Sequence, residues 1–378
     1  MNILVLGWYY SSNLGDAVIC DCVAALLRRH LPQANIKIAD VSGRTDFPAR
    51  KQEDLSLMRP LRFRQKLRTA ATVLGWDKQM LHESWHLQNN LGRVNAAIAG
   101  DWDLVVFAGG QLFMDGIALY VSYITKYFEE RGVPVIFNAC GVGPSISRNI
   151  QKELGRALTS PCVRLVSCRD GADRINGWCG NPVAVPTDDA ALWADLCYGV
   201  EKASDGVVGL GVLYPEALSP RRTAACWRRI IRELDARQIR WRMFSNGKER
   251  DMAFARSLLD GRPEDRYLSP APETPRELVE LIASFRSIIG FRLHSHIIAA
   301  SLDIPSVALI WDQKIPSFFA AMELDNRCFT IRDSAEAVVN ALTDAEASPE
   351  NCQTIIRHRK QARSLLLDTV DGSLKGTL

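Results

Sequence analysis

The chemistry this chain can do rests first on Arg169, Arg292, His294 and Lys314, each placed just beyond an apolar run. Ser287-Ile288-Ile289-Gly290 reads as a short buried parallel strand. Phe291-Arg292-Leu293-His294-Ser295-His296 follows, then a helix pattern through Ile297, Ile298, Ala300 and Leu302. A second strand, Pro305 to Trp311, closes a βαβ unit, with Lys314 just past its end. In open α/β sheets ligands bind outside the carboxyl ends of the strands, so Arg292, His294 and Lys314 are expected to point into one crevice. Two fixed cations and a group that titrates near neutrality suit a small, highly charged anion that must also exchange a proton. Arg169, in Ser167-Cys168-Arg169-Asp170 after the strand Val163 to Val166, is a further cation at a strand end, and Asp170 is expected to cap the next helix. Plainer roles stand beside these: a satisfied structural histidine for His294, a local Arg169–Asp170 ion pair, and a bracing role for Arg292. On a helix His294 and His296 point in different directions, so one of the two is expected to serve and His296 is the bystander.

The elements that must hold these residues alternate strand and helix along the whole chain. Ile3 to Gly7 is a strand and Asp16 to His30 a helix, joined by the aromatic turn Trp8 to Gly15. In that turn Asn13, Gly15 and Asp16 form a motif: Asp16 as an N-cap or first-turn acid, Gly15 for a positive φ or a close approach of ligand to backbone. The strand from Asp103 runs into Gly109-Gly110, and the strand from Pro134 delivers Gly141-Val142-Gly143-Pro144, which has no dinucleotide-binding spacing. Strands at 206–213, 240–244 and 328–331 and helices at 221–237, 251–259, 274–285, 316–322 and 351–368 complete the second half. The expected architecture is α/β, with two Rossmann-like domains facing across a cleft. The first is placed at residues 1–200 with an insertion near 44–95, the second at 201–345, and a helical tail at 346–378.

Composition narrows the class. Of 378 residues, 47% are hydrophobic and 24% charged, ordinary for a globular protein with a sizeable core. A net charge of only +3 gives no global basic field, so nucleic acid is not an expected partner. Ten cysteines occur with no Cys-x-x-Cys pair and no zinc-like cluster with the histidines, so free buried thiols are expected and no metal site. The start of the chain lacks the pattern of a secretory signal, and no run reaches the ~20 apolar residues of a spanning helix, which points to the cytoplasm. The insertion complicates this. Arg59, Arg62, Arg64, Lys66 and Arg68 lie close to Trp76, Met80, Leu81 and Trp85. That mixture suits peripheral contact with the inner face of an anionic membrane, or, more plainly, a solvated basic face.

Seven short motifs then line up in order: Asn13-Leu14-Gly15-Asp16, Gly109-Gly110, Gly141-Val142-Gly143-Pro144, Ser167-Cys168-Arg169-Asp170, Asp188-Asp189-Ala190, Arg292-Leu293-His294-Ser295, and Pro305 followed by Lys314. The set resembles the polysaccharide pyruvyl transferase family from the first strand to about residue 322. The family usually has a third glycine where Gln111 stands and often a proline at Asp189. The resemblance implies a GT-B-like fold and transfer of pyruvate from phosphoenolpyruvate onto a sugar of a polysaccharide or its lipid-linked precursor, giving a ketal and phosphate. It implies no resident cofactor, phosphoenolpyruvate being the co-substrate and a saccharide the acceptor. His294 and Arg169 would be catalytic. Arg292, Lys314, Asn13, Gly15, Asp16, Gly109, Gly110 and Ser295 would contact substrate. Two rivals stay open: a GT-B glycosyltransferase using a nucleotide sugar, and a non-catalytic glycan-binding subunit of an exopolysaccharide assembly system.

Overall fold

The computed structural model describes residues 1–47, 77–143, 146–203, 205–214, 218–348 and 352–375. The basic residues at 59–68 and Trp76, on which the membrane-contact expectation rests, lie outside them. Two compact units are present, each around its own parallel sheet. One unit comprises Met1–Ser11, Ile19–Ala190 and Gln361–Leu378, the other Ser12–Val18 and Ala191–Lys360.

The first unit holds β1 (Asn2–Gly7), most of α1 (Leu14–His30), β2 (Asn35–Asp40), α2 (Lys78–Ile98), β3 (Leu104–Phe107), β4 (Gly110–Phe113) and α3 (Ala118–Glu129). It continues through β5 (Val135–Val142), α4 (Arg148–Leu158), β6 (Val163–Cys168), α5 (Ala172–Cys179) and β7 (Ala184–Pro186). The strands run in the order β2-β1-β3-β5-β6-β7, with β4 paired to β5, and every pairing is parallel. Both faces of such a sheet are covered, which is why β1, β3 and β5 read as continuous apolar runs. Phe107 and Phe137 stack at 4.6 Å in its core. Fully burying such rings contributes roughly 1.5–3 kcal/mol each.

The second unit holds α6 (Ala194–Tyr198), β8 (Val208–Gly211), α7 (Pro220–Ala236), β9 (Trp241–Phe244), α8 (Glu249–Ser257), α9 (Glu264–Tyr267) and α10 (Pro275–Ala283). After these come β10 (Ser287–Gly290), α11 (Leu293–Ser301), β11 (Ser306–Leu309), α12 (Lys314–Ala321), β12 (Cys328–Phe329) and α13 (Ala335–Ala347). Its sheet order is β12-β11-β10-β8-β9, also parallel. The chain reverses its winding between β8 and β10, so the switch point, where open α/β sheets bind ligands, falls at the carboxyl end of β10. Trp227 packs edge-on to Phe291 at 5.6 Å, and the Trp311 indole N–H donates to the Phe291 carbonyl at 2.7 Å. These two contacts fix the backbone immediately before Arg292.

The last helix, α14 (Cys352–Lys375), is divided between the units instead of standing apart as the helical tail expected at 346–378. The sequence reading also assigns no helix to α4 or α13. Both have a serine N-cap, Ser147 and Ser334, and a buried i, i+4, i+7 stripe. None of the nine described cysteines is in a disulfide, and six of them are buried. Among the described residues no helix is long and apolar enough to cross a membrane.

Candidate active site

β10 occupies Ser287–Gly290, the predicted span, and α11 starts two residues later with Arg292 in the N-cap position. His294 lies in the first turn of α11 and is buried. Its Nδ1 stands 3.5 Å from the Asn13 carboxamide nitrogen and 3.8 Å from a carboxylate oxygen of Asp16. The second distance is beyond a hydrogen bond. Asn13 also donates to Asp16 at 3.3 Å, so amide, carboxylate and imidazole form one cluster. All three belong to the same unit, because residues 12–18 group with the second sheet and not with the remainder of α1.

Gly15 is what lets the imidazole in. A Cβ built there would lie 2.4 Å from His294 Nδ1 and 2.5 Å from His294 Cβ. Of the two expectations for Gly15, a positive φ or a close approach to the backbone, the positive φ is not found. Gly15 lies within α1, and the missing Cβ, not the backbone angle, is the reason for glycine.

Asn246, in the Ser245-Asn246-Gly247 turn after β9, ties the cluster together. Its side-chain oxygen accepts from Ser295 Oγ at 2.8 Å and its carbonyl from the Leu14 N–H at 3.0 Å. Ser295 is thus bound to a neighbouring turn. The sequence signal for Asn246 was available: Asn-Gly at a strand end marks a turn.

The cations are held by internal carboxylates. Arg292 Nε donates to Asp251 at 3.0 Å, and Nη2 donates to the same oxygen. Asp251 is buried and takes the Tyr214 N–H on its other oxygen at 2.8 Å. Breaking so buried a pair from one side is costly, so Arg292 is a fixed charge with Nη1 as its remaining edge. Lys314 opens α12, 3.3 Å from Asp312 and 5.0 Å from the Trp311 ring.

Arg169 lies in the first unit, buried, where it pairs with Asp189 and stands 3.5 Å from Asp170. The aspartate at 189, where the family often has proline, thus has a definite job. Asp170 does not cap α5. Gly171 occupies that N-cap with φ +69°, and Asp170 instead accepts the Val142 N–H at 2.7 Å. Gly109 and Gly110 have φ +117° and +80°, and a Cβ on Gly109 would meet the Asn138 carbonyl at 2.7 Å. The glycine pair is therefore also required by the sheet itself.

His296 takes the structural part. Its Nε2 lies 3.1 Å from the Gly290 carbonyl and its ring packs edge-on to Phe319. Burial pushes its pKa down from 6.5 to about 4, so the folded ring is neutral. Its stabilising contribution is full above pH 6.5 and lost as the pH falls to about 4, where the unfolded chain takes up the proton more readily. Such a shift corresponds to roughly 3 kcal/mol. His296→Gln is expected to flatten the loss of unfolding free energy between pH 7 and 4.5. Parallel pH curves for the two proteins would refute this.

The fold and the site define a two-sheet α/β protein of GT-B type. Solved structures agree on that fold. It is similar to a putative UDP-N-acetylglucosamine 2-epimerase from Listeria monocytogenes (TM-score 0.58, 10% identity, 99% of this chain and 97% of that one). It is also similar to the UDP-GlcNAc 2-epimerase from Neisseria meningitidis (TM-score 0.55, 13% identity, 98% and 99%). A third is the N-terminal domain of Candida albicans trehalose-6-phosphate phosphatase (TM-score 0.52, 9% identity, 98% and 99%). No curated protein matches the sequence. The family profile described as polysaccharide pyruvyl transferase matches residues 13–173 and 216–313, and the chain belongs to that family.

Proposed function

We propose that the protein transfers the pyruvyl group of phosphoenolpyruvate to two hydroxyls of a sugar in a polysaccharide or its lipid-linked precursor. The product is a cyclic ketal, and phosphate is released. The observation that carries this reading is the seat of His294 on Asn13 and Asp16, at the switch-point end of β10 in a member of this family.

The chemistry asks for a proton at the methylene carbon of the enol, and histidine is suited to give it near neutral pH. With Nδ1 turned to Asn13 and Asp16, Nε2 is the nitrogen that would deliver the proton, and Asp16 offsets positive charge on the ring. Protonation makes the adjacent carbon electrophilic. One sugar hydroxyl adds there, its proton returning to the imidazole. The phosphate leaves with the electron pair of its C–O bond, and the second hydroxyl closes the ketal, giving its proton to the departing phosphate. Arg292, fixed by Asp251, offers a cation to the carboxylate or phosphate, with Lys314 as a second. Arg169, given a catalytic role by the resemblance, would act from within its pairing with Asp189 and Asp170. The reaction needs no resident cofactor, since phosphoenolpyruvate carries its own leaving group.

The test is incubation with phosphoenolpyruvate and a panel of free and lipid-linked saccharides. Phosphate release matched by a product mass gain equal to pyruvate less water is the expected result. Consumption of a nucleotide sugar with no phosphate released from phosphoenolpyruvate would overturn the proposal in favour of a glycosyltransferase.

A further inference from the structure

The first unit contains a cavity of about 270 Å³ at the carboxyl ends of its strands. Trp8 follows β1, Ser42 and Arg44 follow β2, and Asp115 follows β4. Helix α2 closes it with Trp85, His86, Asn89, Asn90 and Arg93. Those positions, spaced i, i+1, i+4, i+5 and i+8, form one helix face. Trp85, Asn89 and Arg93 on it are exposed and His86 is buried, whereas Val94 and Ile98 carry the face that packs on the core. The cavity therefore has an open, polar rim that a solute can reach.

The lining has three distinct parts. Trp8 and Trp85 supply aromatic faces, and Trp85 is 44% exposed, which leaves its indole accessible. Arg44 and Arg93 supply two positive charges. Arg44 is braced on the Tyr10 carbonyl at 3.2 Å and Arg93 on the Asn90 side chain. Asp115 supplies one carboxylate. Next to Asp115, Glu83 is buried. Burial first, and the neighbouring Asp115 carboxyl second, push its carboxyl up to about 8, so at neutral pH Glu83 keeps its proton.

We infer that this cavity binds a single saccharide ring that bears an anionic substituent. The indoles would take the apolar face of the ring, Asp115 and the carboxamides its hydroxyls, and Arg44 with Arg93 its carboxylate or phosphate. The volume lies just below the ~300 Å³ at which small-molecule sites begin, which suits one ring and not a dinucleotide. Two guanidiniums against one carboxylate disfavour a metal cation and favour an acid. The choice of a sugar over other ring acids rests on the pyruvyl transfer reading; the cavity and its charge do not.

The test is titration of the purified chain with glucuronate, glucose, uridine monophosphate and inorganic phosphate, followed by tryptophan fluorescence and calorimetry. Saturable glucuronate binding at least tenfold tighter than glucose is expected, weakening as salt is raised. Trp85→Ala and Arg93→Gln should each weaken it tenfold or more while thermal unfolding stays unchanged. Tighter binding of uridine monophosphate than of glucuronate would overturn the saccharide assignment. Equal binding of phosphate with no effect of Trp85→Ala would reduce the cavity to a plain anion site and also overturn it. Binding is read without phosphoenolpyruvate. A chain that binds glucuronate but releases no phosphate from phosphoenolpyruvate keeps this inference and loses the pyruvyl transfer reading, whereas turnover without glucuronate binding does the reverse.

Discussion

Gly15→Ala should disable the protein nearly as completely as His294→Ala. General acid–base groups contribute ~10²–10⁴ in rate, so His294→Ala is expected to lower kcat for pyruvyl transfer by that range. Alanine at position 15 is a better helix former than glycine by roughly 1 kcal/mol, and the backbone there is helical, so propensity alone would make the change stabilising. The new methyl, however, would lie 2.4 Å from His294 Nδ1, 2.5 Å from its Cβ and 2.6 Å from its Cγ. Because the Cβ is itself involved, the whole side chain must move. Displacing a reacting group by ~1 Å costs about 10²-fold. The expected outcome is a loss of at least that size, with a lowered thermal midpoint, since overpacking a buried site costs about 1–3 kcal/mol and outweighs the gain in propensity. The double variant Gly15→Ala/His294→Ala should be no slower than His294→Ala alone, since both act through one group. Near-normal turnover in Gly15→Ala would show that the seat described for His294 is not required.

The second large effect is on stability. Glu83 is buried, and its carboxyl is raised from 4.5 to about 8. A group raised in this way stabilises the fold fully below pH 4.5, and that contribution is lost as the pH climbs toward 8, because the folded chain holds a proton the unfolded chain has released. Glutamine keeps the shape and has no proton to lose. Glu83→Gln should therefore gain on the wild type as the pH rises, by the order of 3 kcal/mol at pH 7. Thermal unfolding at pH 5, 7 and 8.5 would measure it, with the two proteins converging at the acid end. Curves that stay parallel across that range would mean Glu83 is not protonated in the fold. If the gain is found, glutamate at this position is held at a cost to stability.

The placement of Arg292, His294 and Lys314 after strands was legible because it needs only the order of apolar runs and the residues after them. The span of β10 and the divergence of His294 from His296 follow from periodicity alone. Residues tied by long-range contacts were not legible. Asp251 reads as an ordinary helix-start acid, and nothing local says that it holds Arg292 from 41 positions away. Asp170 looks like a cap because a helix follows it, yet the Val142 N–H, bared at the end of β5, claims it instead. Glu83 drew no reading from the sequence, since the burial of one charged residue on α2 leaves no mark in the spacing. The overlooked α4 is a different matter: its apolar stripe and serine cap were present in the sequence to be read.

The assignment of residues 12–18 to the second unit bears on how such chains can be recombined. A hybrid that takes residues 191–360 from one parent and everything before from another has its crossover in a sensible-looking place. It nevertheless splits His294 from Asn13, Gly15 and Asp16, leaving an imidazole from one lineage facing an amide and a carboxylate from the other. Exchange of halves among these proteins is therefore constrained by a seven-residue passenger nearly two hundred positions upstream. A working chimera must carry that segment with the half it serves.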